Sequence, residues 1–144
     1  MALIWDDQYY YLVAYDGEAQ IIKHYRVDKI RDVVITDIPR EKGKIKVDMN
    51  DYSGRLFGMF GGKTVNVSII SPKDKIGILI DRFGQDIKVT RIDENTVKVH
   101  VEVALSSQFY GWMASIGPHI RLDGPIEAVD SMKDFLISNL KNYE

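Results

Sequence analysis

"DQYYYLVAYDGEAQIIKHYRVDKI", residues 7–30, holds two strand-like segments on either side of a turn. The first segment runs from three consecutive tyrosines into Leu-Val-Ala-Tyr, which are mostly residue types that favour extended structure. Asp16-Gly17 is a hairpin signal, and the chain returns through β-branched residues. The return segment also carries four side chains that can hold positive charge: Lys23, His24, Arg26 and Lys29. The stretch therefore predicts a β-hairpin with positive charge concentrated beside aromatic rings.

The composition is that of a folded protein without a strong charge. Of 144 residues, 45% are hydrophobic, which is enough for one good core or two small ones. The net charge of −2 provides no long-range attraction for nucleic acid or an anionic membrane, so any anion binding must be local. The absence of cysteine excludes disulfides and thiolate metal sites and fits a reducing cytoplasm, the localisation we expect. No apolar run approaches the roughly 20 residues that span a bilayer, so no membrane is expected as a partner.

Composition along the chain predicts three regions. Residues 1–36 are rich in strand-forming types, and residues 31–38, "RDVVITDI", are predicted to form a third strand beside the hairpin. Residues 37–62 hold a proline and five glycines, and we interpret them as a connector with a short helix around residues 52–59. Residues 63–144 have the most regular pattern and are predicted to form a second domain.

The second domain begins with a strand and a helix. Residues 64–70, "TVNVSII", alternate as a half-buried strand does. Ser71-Pro72 then predicts the start of a helix of about three turns, because serine caps free amides and proline suits the first helical position. The helix carries an apolar stripe that ends at Gly84: Ile76, Leu79, Ile80 and Phe83.

A hairpin and two more helices follow. Residues 87–92 and 96–103 predict two strands, the second with an inward valine face: Val97, Val99, Val101 and Val103. Ser106 or Ser107 caps a helix with one apolar side: Phe109, Trp112, Met113 and Ile116. After a short strand at residues 119–122, Asp123-Gly124-Pro125 opens a last helix with its own apolar side: Ile126, Val129, Met132, Leu136 and Leu140. This order is the split βαβ arrangement of an α+β fold with one helix added.

Several of these stretches resemble a known protein family. "YYYLVAYD" followed by "KHYRVDKI" resembles the core of a WYL domain, with Tyr10, Tyr11 and Leu12 at the positions of its Trp-Tyr-Leu triplet. "LSSQFYGWMASIGPHIRLDGPIEAVDSMKDFL" resembles the WCX extension that follows WYL domains in bacterial transcriptional regulators, through Trp112, Gly117 and Pro125. "LFGMFGGKTVNVSI" resembles the connector between the two. The resemblance covers nearly the whole chain, and Tyr10 in place of tryptophan is a departure.

The resemblance implies a fold. A WYL domain is similar to a small Sm-like or SH3-like β-barrel, so residues 1–36 are expected to be part of such a barrel. Residues 63–144, the WCX domain, are expected to be a ferredoxin-like βαββαβ domain with an extra C-terminal helix. In the family, earlier strands and a helix-turn-helix DNA-binding domain precede the triplet, whereas this chain starts abruptly at "MALIW". We therefore expect an uncovered sheet edge and a homodimer formed through it.

The resemblance also implies sensing. WYL domains are thought to bind nucleic-acid fragments or nucleotide-like effectors at a basic surface and to signal to the DNA-binding domain. The family's Arg-x-Phe-Arg-x-Asp-Arg motif corresponds to residues 23–29, where lysine replaces two of the arginines and loses the planar fork. The expected ligand-binding residues are these: Tyr11, Lys23, His24, Arg26, Asp28 and Lys29. The expected partners are such an effector and, through a helix-turn-helix domain absent from this chain, DNA.

Strand alternation predicts which of these residues share a face, because successive side chains point to opposite faces. Tyr25 and Val27 are expected to pack inward, leaving His24 and Arg26 on the more exposed face, with Asp28 orienting Arg26. Tyr11 from the neighbouring strand offers a ring for base stacking.

Two other functions remain open from sequence. The chain is alternatively a purely structural oligomerisation module that binds no small ligand. Catalysis is not expected, since nothing assembles a nucleophile, a base and an oxyanion hole. His100 and His119 are isolated and read as surface residues, and no metal or cofactor is expected.

Overall fold

A computed structural model describes residues 1–6, 8–39 and 64–144 of the chain. Over these residues the protein has two antiparallel sheets and three α-helices, which confirms the predicted α+β class. The chain divides into two compact units, Met1–Gly61 and Gly62–Glu144. The short helix predicted around residues 52–59 and the connector from residue 40 onward lie outside the described residues.

The first unit contains a three-stranded sheet in which β2 lies at the centre. Its strands are β1 (Ala2–Asp6), β2 (Tyr9–Asp16) and β3 (Ile21–Arg26), and both pairings are antiparallel. The hairpin predicted at Asp16-Gly17 is confirmed. The Asp16 carboxylate accepts hydrogen bonds from the backbone N–H groups of Glu18 and Ala19, each at 3.0 Å, and these bonds fix the turn.

The third strand of this sheet is not the one predicted. Residues 31–38 do not form a strand, and Ile35 in their centre is 97% exposed. The strand position is occupied by β1, where Leu3 pairs with Leu12 and Trp5 with Tyr10. Only two residues separate β1 from β2, so this pairing closes a short loop at a low entropic cost. Local pairing of β1 therefore outweighs the β-branched composition of residues 31–38.

The second unit contains a four-stranded antiparallel sheet in the order β5-β6-β4-β7. Its elements along the chain are β4 (Thr64–Pro72), α1 (Ile76–Phe83), β5 (Lys88–Arg91), β6 (Thr96–Ala104), α2 (Ser107–Ser115), β7 (Arg121–Gly124) and α3 (Ile126–Leu140). This is the predicted order of strands and helices. The four β6 valines are buried as expected, and Val67 and Ile69 of β4 join them in the core.

The predicted helix cap at Ser71 is wrong. Ser71 is buried within β4, where its hydroxyl donates a hydrogen bond to the Pro72 carbonyl at 2.9 Å. The β4–β6 ladder continues to Pro72, which pairs with Thr96, so the strand ladder prevails over the capping signal. A 3₁₀ turn at Lys73–Lys75 follows, and α1 has only eight residues instead of about three turns.

The start of α2 settles the choice that the sequence left open. Ser106 is the cap, because its hydroxyl oxygen accepts a hydrogen bond from the Phe109 backbone N–H at 3.2 Å, whereas Ser107 is the first helical residue. Phe109 and Met113 are buried, but Trp112, predicted to be a core residue, is only half-buried. Its ring meets that of Phe83 edge-on, with 5.6 Å between centroids.

The last helix, α3, covers less of its apolar side than the sequence pattern suggests. Ala128 is buried, Val129 and Met132 are half-buried, and the remaining apolar residues of that side are exposed: Ile126, Leu136 and Leu140. His119 is exposed as predicted, whereas His100 is half-buried on β6.

Core packing of α1 provides a test of the second unit. Replacing the fully buried Leu79 with alanine is expected to lower the free energy of unfolding by roughly 2–5 kcal/mol, because it leaves a cavity. Replacing the neighbouring Ile78, which is 39% exposed, is expected to cost less than about 1 kcal/mol. Urea unfolding followed by Trp112 fluorescence in a Trp5→Phe background measures both. Equal losses for the two variants would contradict the placement of α1.

Candidate functional site

The register of the first sheet decides which of the predicted site residues lie together. Directly paired residues of antiparallel strands point to the same face, and Tyr11 pairs with Arg26 while Val13 pairs with His24. Tyr9, two residues from Tyr11, shares that side. We name this surface, formed by Tyr9, Tyr11, His24 and Arg26, the Arg26 face. It brings three of the six predicted ligand-binding residues together.

The guanidinium group of Arg26 is fixed on two sides. It lies over the Tyr9 ring at 3.5 Å from the centroid, which is a cation–π arrangement. Its Nε and one terminal nitrogen donate to the two carboxylate oxygens of Asp28 at 3.1 and 2.8 Å. The side chain therefore has a defined position, and the prediction that Asp28 orients Arg26 agrees with this geometry.

The ion pair also sets the protonation states. The hydrogen bond to Asp28 raises the pKa of Arg26, and the same bond lowers the pKa of the Asp28 carboxyl. Both groups stay ionised at every physiological pH. The pair as a unit is therefore close to neutral.

His24 contributes a polar ring without a permanent charge. It is half-buried, and burial lowers the pKa of its imidazole below the ordinary value of 6.5. The imidazole is therefore neutral at neutral pH and offers one donor and one acceptor. Its pairing partner Val13 is 5% exposed, so His24 borders the best-covered part of this sheet.

The other two predicted cations do not join Arg26. Lys23 lies on the opposite face of β3, where its ammonium forms an ion pair with Asp16. Lys29 lies beyond the end of β3 in the 3₁₀ turn Val27–Lys29, where strand alternation no longer applies. Both predictions came from the family motif that residues 23–29 resemble, and the early end of β3 could not be read from that motif.

The expectation that Tyr25 and Val27 pack inward is wrong. Tyr25 is 43% exposed and Val27 is also exposed, whereas His24 and Arg26 are the more covered side chains. Tyr25 belongs to a largely apolar surface on the reverse of the sheet, which we name the Tyr25 face: Leu3, Trp5, Tyr10, Leu12 and Tyr25.

Tyr9 is the site residue that sequence reasoning missed. It precedes Tyr11 by two residues and therefore lies on the same side of β2. The available signal was this spacing together with a basic residue on the partner strand. The hairpin register, which places Arg26 opposite Tyr11 and next to Tyr9, is needed to identify the contact.

The described residues contain no group of three metal-ligating side chains, and none of their helices is long and apolar enough to cross a membrane.

Comparisons with known proteins found similarity to solved structures. No family model and no curated protein matches the chain. Among solved structures, it is similar to proteasome accessory factor B/C (PafBC) of Arthrobacter aurescens, with 17% sequence identity and a TM-score of 0.41. The match covers 86% of this chain but only 19% of that protein's chain. The TM-score is low, so the resemblance to WYL domains is carried by the residues quoted above and not by this structure.

The turn carboxylate Asp16 provides a pH test. Hydrogen bonds from the Ala19 backbone N–H and from Lys23 lower its pKa from 3.8 to about 2. Because the pKa in the folded state is depressed, the ionised carboxylate favours folding above pH 3.8, and this contribution is lost as the pH falls toward about 2.

An NMR titration of the Asp16 carboxyl carbon is expected to show a midpoint near 2. The Lys23→Gln variant is expected to return that midpoint only part of the way to 3.8, since the Ala19 amide is the larger cause and remains. A midpoint at 3.8 in the unsubstituted protein would contradict the turn geometry.

Proposed function

We propose that the chain is the ligand-sensing and oligomerisation part of a WYL-type bacterial transcriptional regulator, and that its Arg26 face binds a nucleotide-like effector or a nucleic-acid fragment. The observation that supports this most directly is the Arg26 guanidinium held between the Tyr9 ring and the Asp28 carboxylate. In this proposal the first unit is part of an Sm-like barrel and the second is a ferredoxin-like WCX domain. DNA is contacted by a helix-turn-helix domain that is not part of the chain, and no reaction is catalysed.

The geometry of Arg26 suits a phosphate group. Asp28 engages one edge of the guanidinium, and the remaining N–H groups form a planar set of donors that matches phosphate oxygens. Since the fork is already oriented, binding needs little additional ordering of the side chain.

The aromatic rings of the Arg26 face suit a base. Tyr9 and Tyr11 lie on the same side of β2, and base stacking on an aromatic ring contributes about 1–3 kcal/mol per base. One oriented guanidinium beside two rings fits a ligand with a phosphate and one or two bases better than a long polyanion.

Arg26 variants test this proposal. Cyclic nucleotides and short single-stranded oligonucleotides are titrated against the full chain in a thermal-shift assay, because a ligand of the folded state raises the melting temperature. We expect Arg26→Ala to abolish the shift and Arg26→Lys to weaken binding at least about tenfold, through loss of the fork. Asp28→Asn is expected to weaken binding, since it removes the carboxylate that orients the guanidinium.

The matched control is Arg91→Ala, which removes an exposed arginine of β5 in the second unit and is expected to leave the shift unchanged. A shift that survives Arg26→Ala places the ligand elsewhere. If no anionic ligand changes the melting temperature, the purely structural module is the better description.

The Tyr25 face supports the oligomerisation part of the proposal and also the structural alternative. Leu3 and Trp5 on β1 are 62% and 57% exposed, and the Trp5 ring meets Tyr10 edge-on at 4.7 Å. Exposed apolar sheet faces of this kind are typical of surfaces that pack against another protein. In the described part of the chain, β1 and β3 each pair only with β2, so both strands also offer an edge.

Sedimentation tests the homodimer. The chain is expected to sediment at twice its mass of 16.5 kDa, and Trp5→Glu is expected to shift it toward the monomer by placing a charge in the buried contact. Val33→Glu, a control that changes an exposed apolar residue outside the sheet, is expected to keep the dimer. A monomer at high concentration would contradict this part of the proposal.

A further inference from the structure

A second candidate site lies within the second unit, between α2, β7 and α3. A cleft of about 420 Å³ opens there, which falls within the roughly 300–1,000 Å³ of small-molecule pockets. Its floor is formed by three buried side chains: Met113, Ile120 and Leu122. Its wall is formed by three residues on the incompletely covered side of α3: Val129, Met132 and Leu136. The interior is therefore apolar and built on rigid elements.

The rim of the cleft carries positive charge. Arg121 of β7 and Lys133 of α3 are among its lining residues, and both side chains are 62% exposed. No carboxylate is among the described residues that line it. The site thus has an apolar interior with cations at the entrance, and this distribution selects for a ligand with an apolar body and a negative head.

Both rim cations have a carboxylate nearby, but these contacts leave them able to interact with a ligand. Asp123 forms its shorter contact with Lys98 at 2.7 Å, whereas Arg121 lies 3.4 Å from the other oxygen. Lys133 pairs with Asp130 at 2.8 Å on the surface of α3, and exposed pairs of this kind contribute only about 0–1 kcal/mol. An incoming carboxylate can therefore exchange with or share these partners at little cost.

We propose that this cleft binds a small amphipathic carboxylate, with its hydrocarbon body between the floor and the α3 wall and its carboxylate at Arg121 and Lys133. The inference is independent of the Arg26 face, because its cleft is formed entirely by residues of the second unit. It gives the chain a second ligand of a different chemical class.

Matched ligands of one chain length test the proposal. Isothermal titration of the full chain with octanoate, octan-1-ol and octylamine, below their aggregation limits, is expected to rank the carboxylate first and the amine last. Octanoate is expected to bind roughly fivefold tighter than the alcohol, the upper range for exposed ion pairing. From hexanoate to octanoate, each methylene is expected to tighten binding roughly fourfold.

Variants locate the binding. The double variant Arg121→Gln, Lys133→Gln is expected to remove the preference for carboxylate over alcohol while the dependence on chain length persists. Lys88→Gln is the matched control, because β5 lies at the opposite edge of the sheet from β7. Ala114→Phe fills the cleft from an exposed position and is expected to weaken every ligand at least tenfold.

Three results would overturn the proposal. They are equal affinity for octanoate and octan-1-ol, no binding of any of the ligands, and self-association of the chain that Leu136→Glu reverses. The last would assign the cleft and the apolar side of α3 to a second copy of the chain.

Discussion

The register of β3 against β2 is the constraint on which the candidate site depends. With Tyr11 opposite Arg26 and Val13 opposite His24, the arginine meets the Tyr9 ring and can reach Asp28 at the end of the strand. A slip of one residue would move Arg26 to the other face and bring Lys23 and Tyr25 in its place. The Asp16 turn, with its two backbone hydrogen bonds, holds this register at the closed end of the hairpin.

Two cations in the described part of the first unit are held in ion pairs, and this bears on how the proposed site would bind an anion. Lys23 is engaged by Asp16 and Arg26 by Asp28, so the cations counted in the sequence do not add up to one basic patch. The candidate site therefore consists of the oriented Arg26 guanidinium beside aromatic rings. Under the proposed function, this arrangement favours ligands that match its geometry and stack on its rings, and it does not require a strongly basic chain.

The two sides of the first sheet suit different tasks. The Arg26 face contains polar groups with fixed partners. On the Tyr25 face, β1 contributes the exposed apolar side chains of Leu3 and Trp5. A sensor that is also an oligomerisation module needs both kinds of surface. In the second unit, α2, β7 and the incompletely covered side of α3 line an apolar cleft, and its two charged lining residues, Arg121 and Lys133, are exposed.

Sequence patterns predicted the parts of the structure that depend on local chemistry. The Asp16-Gly17 turn, the valine alternation of β6 and a serine cap at residue 106 or 107 each follow from residues within a few positions of one another. The failures involve choices between distant partners. Residues 31–38 have strand composition but lose the place beside β2 to β1, and Ser71 has capping chemistry but stays in the β4–β6 ladder. Arg26 and Asp28 came from the resemblance to the family motif, whereas the contact with Tyr9 required the hairpin register.

The proposed function requires that the Arg26 guanidinium is the group that binds a phosphate. The most direct measurement is the NMR signal of the Arg26 side-chain Nε–H, assigned by its loss in an Arg26→Lys variant, during titration with a cyclic nucleotide and with the matching nucleoside. If Arg26 binds the phosphate, this signal is expected to show a saturable shift with the nucleotide and a much smaller shift with the nucleoside. An unchanged Arg26 signal, while backbone amides elsewhere respond to the nucleotide, would contradict it.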